Sequence, residues 1–159
     1  MMAPTMTTAV PGTGVRGRLA HAVALAGRFP LSVIQLLFRF AVASVFLKAG
    51  LNKIASWDLT VQLFADEYKV PVLSPELAAR LASTLEIGCS TLLILGLGTR
   101  LATLPLLGMI AVIQATVYPS AYAEHLTWGS ILLFLLTRGG GFWSLDRILG
   151  LEPRDAVRC

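Results

Sequence analysis

Four long apolar runs constrain this chain more tightly than any motif in it. They are Leu31–Ile54, Leu77–Gly98, Leu101–Pro119 and Tyr122–Arg138. A helix that crosses a bilayer needs about 20 mostly apolar residues, within a range of about 17–25. The runs are too long and too continuous for the alternating strands of a membrane barrel. A helix of a soluble bundle carries a polar outer stripe, and LATLPLLGMIAVIQATVYP (101–119) has none. Charged residues make up 14% of the chain, against roughly 25% in a soluble domain. Hydrophobic residues make up 55%, which excludes a disordered chain. The sequence therefore predicts an all-α polytopic membrane protein: a four-transmembrane-helix bundle with short interfacial helices.

The charges between the runs set the topology. Arg16, Arg18 and Arg28 precede the first span, Arg100 lies between the second and third, and Arg138, Arg147, Arg154 and Arg158 follow the fourth. The opposite side has Lys69 in its loop, with Lys53 and Arg80 at helix ends. Positive residues stay inside, so both termini are expected in the cytoplasm, in a cell inner (plasma) membrane. Residues 1–30 read as a cytoplasmic N-terminal extension. Its Thr-, Pro- and Gly-rich start is expected to be disordered, and an uncleaved segment then lies on the membrane surface. Residues 31–150 form the membrane domain, and 151–159 a cytoplasmic tail. The basic excess, a net charge of +4, is scattered over ends and loops with no recognition motif, which argues against nucleic-acid binding.

Two further segments have helical signals. In SWDLTVQLFADEY (56–68), Ser56 is placed as an N-cap, and Trp57, Val61, Phe64 and Tyr68 form one apolar stripe. This is expected to be an interfacial helix on the outer surface, ended by Pro71. Ser74-Pro75-Glu76 restarts a helix into the second span. Pro105 is placed to kink the third span. After Gly139-Gly140-Gly141, Ser144 and Asp146 open a short surface helix over 145–151.

A charge near the bilayer centre costs about 2.5–3.5 kcal/mol on insertion scales, so the interior polar residues carry the functional information. Arg39, Gly50 and Lys53 share one face of the first span, while Lys48 lies opposite and can snorkel outward. Ser83, Glu86, Cys89 and Ser90 share a face of the second span. The spacing predicts an ion pair between Arg39 and Glu86, with Lys53 nearer the outer mouth. Leu107, Ala111, Gln114 and Tyr118 are read as one face of the third span, and His125, Trp128, Gly129 and Leu132 as one face of the fourth. Convergence of Arg39, Lys53, Glu86, Gln114, Tyr118 and His125 would make an interior polar pocket that opens outward. Such charges equally serve to fix helix register.

Several chemistries lack residues. Cys89 and Cys159 form no CxxC and are placed far apart. No HExxH, GxSxG or P-loop pattern occurs. His21 and His125 are expected on opposite sides of the membrane, which excludes a paired-histidine haem. No metal site is predicted, and no self-contained catalytic motif identifies an enzyme.

RFAVASVFLKAGLNKI (39–54) has an early Arg39 followed by Gly50-x-x-Lys53. LEIGCSTLLILGLGTRLA (85–102) has Glu86, Gly88 and a Gly96-x-x-x-Arg100 exit. LTWGSILLFLLTRGGGFWSLDRIL (126–149) ends in a Gly-rich, Ser-Leu-Asp tail. In order and spacing these segments resemble the DoxX family, over about residues 35–150. The resemblance implies a four-helix inner-membrane protein of bacteria or archaea. The family takes its name from a subunit of thiosulfate:quinone oxidoreductase, and some members are linked to membrane oxidoreductase complexes that handle thiol or oxidative stress. It therefore implies a membrane subunit of a redox system, with quinone as a candidate cofactor and a redox enzyme as partner; beside the lipid bilayer, a homo-oligomer is the other candidate partnership. The second motif set of the longer sulfur-oxidising subunit is missing, which argues against thiosulfate chemistry. The alternative is a non-catalytic membrane scaffold or a small-solute permease-like protein.

Overall fold

The structure, a computed structural model, describes residues 14–70 and 72–152. The disordered start expected before Gly14, the terminator Pro71, and the tail that carries Arg154, Arg158 and Cys159 lie outside the described residues. The chain divides at Pro30 into two compact units. In the first, VRGRLAHAVALA forms helix α1 (Val15–Ala26), which stops at Gly27.

The second unit holds the long helices: α2 (Leu31–Ala55), α4 (Pro75–Leu95), α5 (Thr99–Thr116) and α6 (Tyr122–Arg138). Between α2 and α4 lie α3 (Trp57–Leu63) and a π-helical turn (Phe64–Tyr68); α7 (Leu145–Ile148) follows α6. There is no strand among the described residues. The long helices pack in a closed ring, α2 on α4, α4 on α5, α5 on α6 and α6 back on α2. Three of them, α2, α4 and α5, are long and apolar enough to cross a membrane. The fourth, α6, has 17 residues.

The all-α membrane fold is visible in where polarity sits. The core joins Val42 and Phe46 of α2, Leu93 of α4, Leu106 and Ile110 of α5, and Leu132 and Leu135 of α6. Gln35, Arg39, Ser83, Glu86, Ser90, Thr99, Thr103 and His125 are buried beside it, while Leu37, Phe40, Leu101, Leu104 and Leu133 face outward. A water-soluble surface would not carry so continuous an apolar exterior. In lipid that exterior is solvated by acyl chains, and the backbone polar groups are satisfied within each helix.

The buried residues of α2, Gln35, Arg39, Val42, Ala43, Phe46 and Gly50, recur at spacings of three, four and one. They form the single face that a 3.6-residue period allows. Gly50 brings α2 close to α4: a Cβ there would lie 2.7 Å from Ile87 Cγ1 and 3.0 Å from Glu86 Cβ. Lys48 is exposed. On α5 the face differs from the sequence expectation. The buried stripe is Thr99, Ala102, Thr103, Leu106 and Ile110. Leu107 and Gln114 are only partly covered, and Ala111 and Tyr118 are exposed. Small residues near the start of α5 let it seat deeply there, and hydropathy alone does not register that preference.

Trp57, Val61, Phe64 and Tyr68 form one stripe, as their spacing predicts, and it packs on Ala78, Ala79 and Ala82 of α4. The exposed residues Asp58, Gln62, Asp66 and Glu67 form the opposite side. Three alanines make a shallow bed for these large side chains, which explains the preference. Thr60 Oγ1 donates to the carbonyls of Lys53 and Ser56, tying α3 to the end of α2.

Candidate functional site

The chain runs up and down the ring, so polar groups collect at its two ends. At one end the start of α2 meets the end of α4, the start of α5 and the end of α6. Arg39 is 1% exposed there and serves as a four-way donor. Its Nε donates to Leu93 O at 2.7 Å and Nη2 to Ile94 O at 2.7 Å. Nη1 donates to Trp143 O at 2.7 Å and Gly140 O at 3.2 Å. The last carbonyls of a helix have no partner within it. Arg39 supplies partners at the end of α4 and ties the loop after α6 to the same point.

The surrounding motif residues complete this knot. Gly96 ends α4 with a φ of +70°, and a Cβ there would lie 2.6 Å from Arg39 Nη2. Only glycine combines that backbone with that approach. Gln35 Nε2 donates to Arg138 O at 3.0 Å and Gly139 O at 3.2 Å. The Asp146 carboxylate accepts from Gly98 N at 2.6 Å and Thr99 N at 2.8 Å. It caps α5 from a distant part of the chain, where a negative charge opposes the positive end of the helix dipole. Glu152 Oε1 accepts from Gly140 N at 2.6 Å. Sequence reasoning took the Gly-rich and Ser-Leu-Asp segments as a local stop and start. Their shared position at the end that holds Arg39 was the available signal.

At the opposite end Lys53 Nζ donates to both oxygens of Glu86, at 2.7 Å and 2.8 Å. Glu86 is 3% exposed and Lys53 20%. This corrects the expected Arg39–Glu86 pair. Arg39 and Lys53 are about 21 Å apart along α2, at about 1.5 Å per residue. The close contact at Gly50 sets the register of α2 on α4 and puts Lys53, not Arg39, beside Glu86. The orphan carbonyls at the end of α4 engage Arg39 instead.

The Lys53–Glu86 pair lies on the wall of a cleft of about 290 Å³. Leu81, Ala82 and Leu85 of α4 line one side, and Pro105, Met109 and Val112 of α5 the other. Phe64, Tyr68 and Tyr118 also line it. The π turn that carries Phe64 and Tyr68 ends at Lys69 with a left-handed φ of +41°. Such turns recur at functional sites. Tyr118, beyond the end of α5, donates to Glu67 Oε1 at 2.7 Å and stacks edge-on with Tyr68 at 6.1 Å. The hydrogen bond to Glu67, with some burial, holds the Tyr118 phenol above its ordinary range.

Gln114 and His125 join the turn between α5 and α6. Gln114 Nε2 donates to Pro119 O at 2.9 Å, so its Oε1 faces His125 Nδ1 at 2.6 Å. In that arrangement His125 Nδ1 carries the hydrogen. His125 also lies 5.7 Å from the Trp128 ring. Of the six residues proposed from sequence, the structure brings Lys53, Glu86 and Tyr118 to one cleft. Gln114 and His125 pair with each other, and Arg39 stands at the far end. Cys89 is buried in the core. No group of three or more His, Cys, Asp or Glu gathers among the described residues.

The same segments relate the chain to known proteins. The DoxX family model matches residues 34–119, which run from α2 to the end of α5 and include Arg39, Lys53 and Glu86. An uncharacterized membrane protein of Mycobacterium tuberculosis is 34% identical over 161 residues, spanning 89% of this chain and 91% of the relative. No solved structure matches the chain. With the family's segments folded into a helical membrane bundle, this chain belongs to the DoxX family.

Proposed function

We propose that this DoxX protein is a membrane subunit of a quinone- or thiol-linked redox system, and that the cleft beside Lys53 and Glu86 is where it meets its ligand. In this reading α6 is the fourth span, the membrane is the cell's inner (plasma) membrane, and both termini are cytoplasmic by the positive-inside rule. The observation that carries it is the Lys53–Glu86 pair at the edge of an apolar cleft. Ionisable pairs inside a membrane are costly and mark functional sites by default. Few convergent polar groups on an otherwise apolar pocket is the usual design of a small-molecule site. Tyr118 stands at the same cleft and can donate to a ligand oxygen once it leaves Glu67. Gln114 and His125 brace the turn next to it. Arg39 has a structural part, since its donors are taken up by backbone carbonyls.

In this reading electrons pass between the bound ligand and a redox-enzyme partner. The test is co-purification of the full chain from its native membrane in mild detergent. A dehydrogenase, a thiol enzyme or a superoxide dismutase in stable association is the expected result. Isolation alone, under conditions that preserve other membrane complexes, would overturn the redox reading. It would favour a membrane scaffold, which the backbone knot around Arg39 suits.

A further inference from the structure

The chemistry of the cleft narrows what it can hold. Among the described residues, Lys53 and Glu86 are the only fully ionic side chains on its wall, and they neutralise each other. An anionic head placed there would lie against the Glu86 carboxylate, and a cationic head against the Lys53 ammonium. Either would lose its water in an apolar setting without net compensation. A neutral head with an oxygen acceptor meets no such penalty. The lysine ammonium has three N–H donors. Two of them suffice for the two Glu86 oxygens, and no further acceptor for Lys53 occurs among the described residues. One donor therefore remains for a ligand.

The walls say where the rest of the ligand goes. Leu81, Leu85 and Val112 of α4 and α5 line the cleft and are 45%, 37% and 45% exposed. The cleft thus opens sideways between α4 and α5, toward acyl chains. Gly108 lines the same opening, and a Cβ there would meet no heavy atom within 4 Å. A volume of about 290 Å³ is at the lower limit for a whole drug-sized ligand, at about 300–1,000 Å³. It accommodates a head and the first part of a chain, with the remainder in lipid.

We propose that the cleft binds a neutral long-chain amphiphile through a carbonyl-type oxygen that accepts from Lys53, with the tail leaving laterally between α4 and α5 past Gly108. The proposal rests on the reading of this cleft as the ligand site and goes beyond it in naming head charge and direction of access. A lipid-soluble quinone and a neutral acyl carbonyl compound share this chemistry.

The experiment compares two matched probes on the purified full chain in phosphatidylcholine nanodiscs: a long-chain methyl ketone and the corresponding alkyl phosphate. The ketone is expected to bind at least about tenfold more tightly than the phosphate. Gly108→Phe fills the opening without touching the ion pair and should weaken the ketone by about tenfold or more. A diazirine-bearing ketone provides a readout that needs no variant, and its label should fall on the Leu81–Leu85 and Gly108–Val112 walls. Equal or tighter phosphate binding, unchanged ketone binding by folded Gly108→Phe, or labelling confined to other surfaces would each overturn the proposal. The ketone is not a redox cofactor, so its binding is independent of any partner. Ketone binding without a co-purifying redox enzyme would remove only the redox reading. A co-purifying enzyme without ketone binding would remove only this one.

Discussion

Arg39 and Lys53 project from the same face of α2, yet they solve different problems. Arg39 supplies hydrogen to carbonyls that α4 and the loop after α6 leave open. A buried carbonyl left without a donor costs about 1–3 kcal/mol. Arg39→Met should therefore lower stability by more than about 3 kcal/mol, read from thermal or denaturant unfolding in detergent. Arg39→Lys should recover only a minor part, because an ammonium cannot span the fork of acceptors that a guanidinium meets. Lys53 behaves differently. Lys53→Met alone leaves Glu86 charged and unpaired, at about 3–5 kcal/mol. Removing both charges in Lys53→Met/Glu86→Leu should return stability to within about 1 kcal/mol of the parent, since an apolar replacement of a buried pair is often neutral. A double-mutant cycle on unfolding midpoints checks this, and a double variant as unstable as the single one would disprove it. The sequence marked Arg39, Lys53 and Glu86 as the informative charges because each stands in an apolar run. Their pairing was not legible, because helix periodicity gives a face and leaves register open. The close approach at Gly50 decides the register, and only packing reveals it.

The elements show a second kind of information that the sequence holds incompletely. The helical stripe of α3 was readable from four large residues at regular spacing, but the bed of alanines on α4 that receives it was not. The spans were readable as apolar runs. Their ends are set by groups far away in sequence. The start of α5 depends on Asp146, which accepts from Gly98 N and Thr99 N. Asp146→Asn keeps the shape but removes the charge from the helix start and one acceptor. The expected loss is about 1–2 kcal/mol by unfolding in detergent, with the helical content of the folded state unchanged. At Gly96 the left-handed backbone and the neighbouring guanidinium act together. Gly96→Ala should cost more than the about 1 kcal/mol of a simple helix-end glycine, because Arg39 must also move. The Gly-rich and Ser-Leu-Asp segments looked like local punctuation. They are tertiary contacts of Arg39 and α5, a distinction that one-dimensional patterning does not carry.

Among the described residues the bundle buries polar side chains such as Arg39, Glu86 and His125 beside its apolar core and turns many apolar side chains outward, and that arrangement follows from composition more directly than any site does. The low charge fraction and the four runs made the membrane fold readable before any side-chain contact was known. Topology is the corresponding prediction. Single cysteines placed at residues 28 and 100, in a chain without Cys89 and Cys159, should be shielded from an impermeant thiol reagent added to intact cells. A cysteine at residue 66, on the exposed side of the segment after α3, should react. The reverse pattern would invert the proposed orientation. The two ends of the bundle divide the labour: a backbone knot around Arg39 at one end and an ion pair beside a cleft at the other. That division is tested most directly by titrating a lipid-soluble quinone analogue into nanodiscs that contain either the parent chain or the Lys53→Met/Glu86→Leu variant, each verified as folded. Saturable binding by the parent and its loss in the variant is the expected result. Binding of equal strength by both would show that the pair only holds helices together, and the functional reading of the cleft's polar end would be wrong.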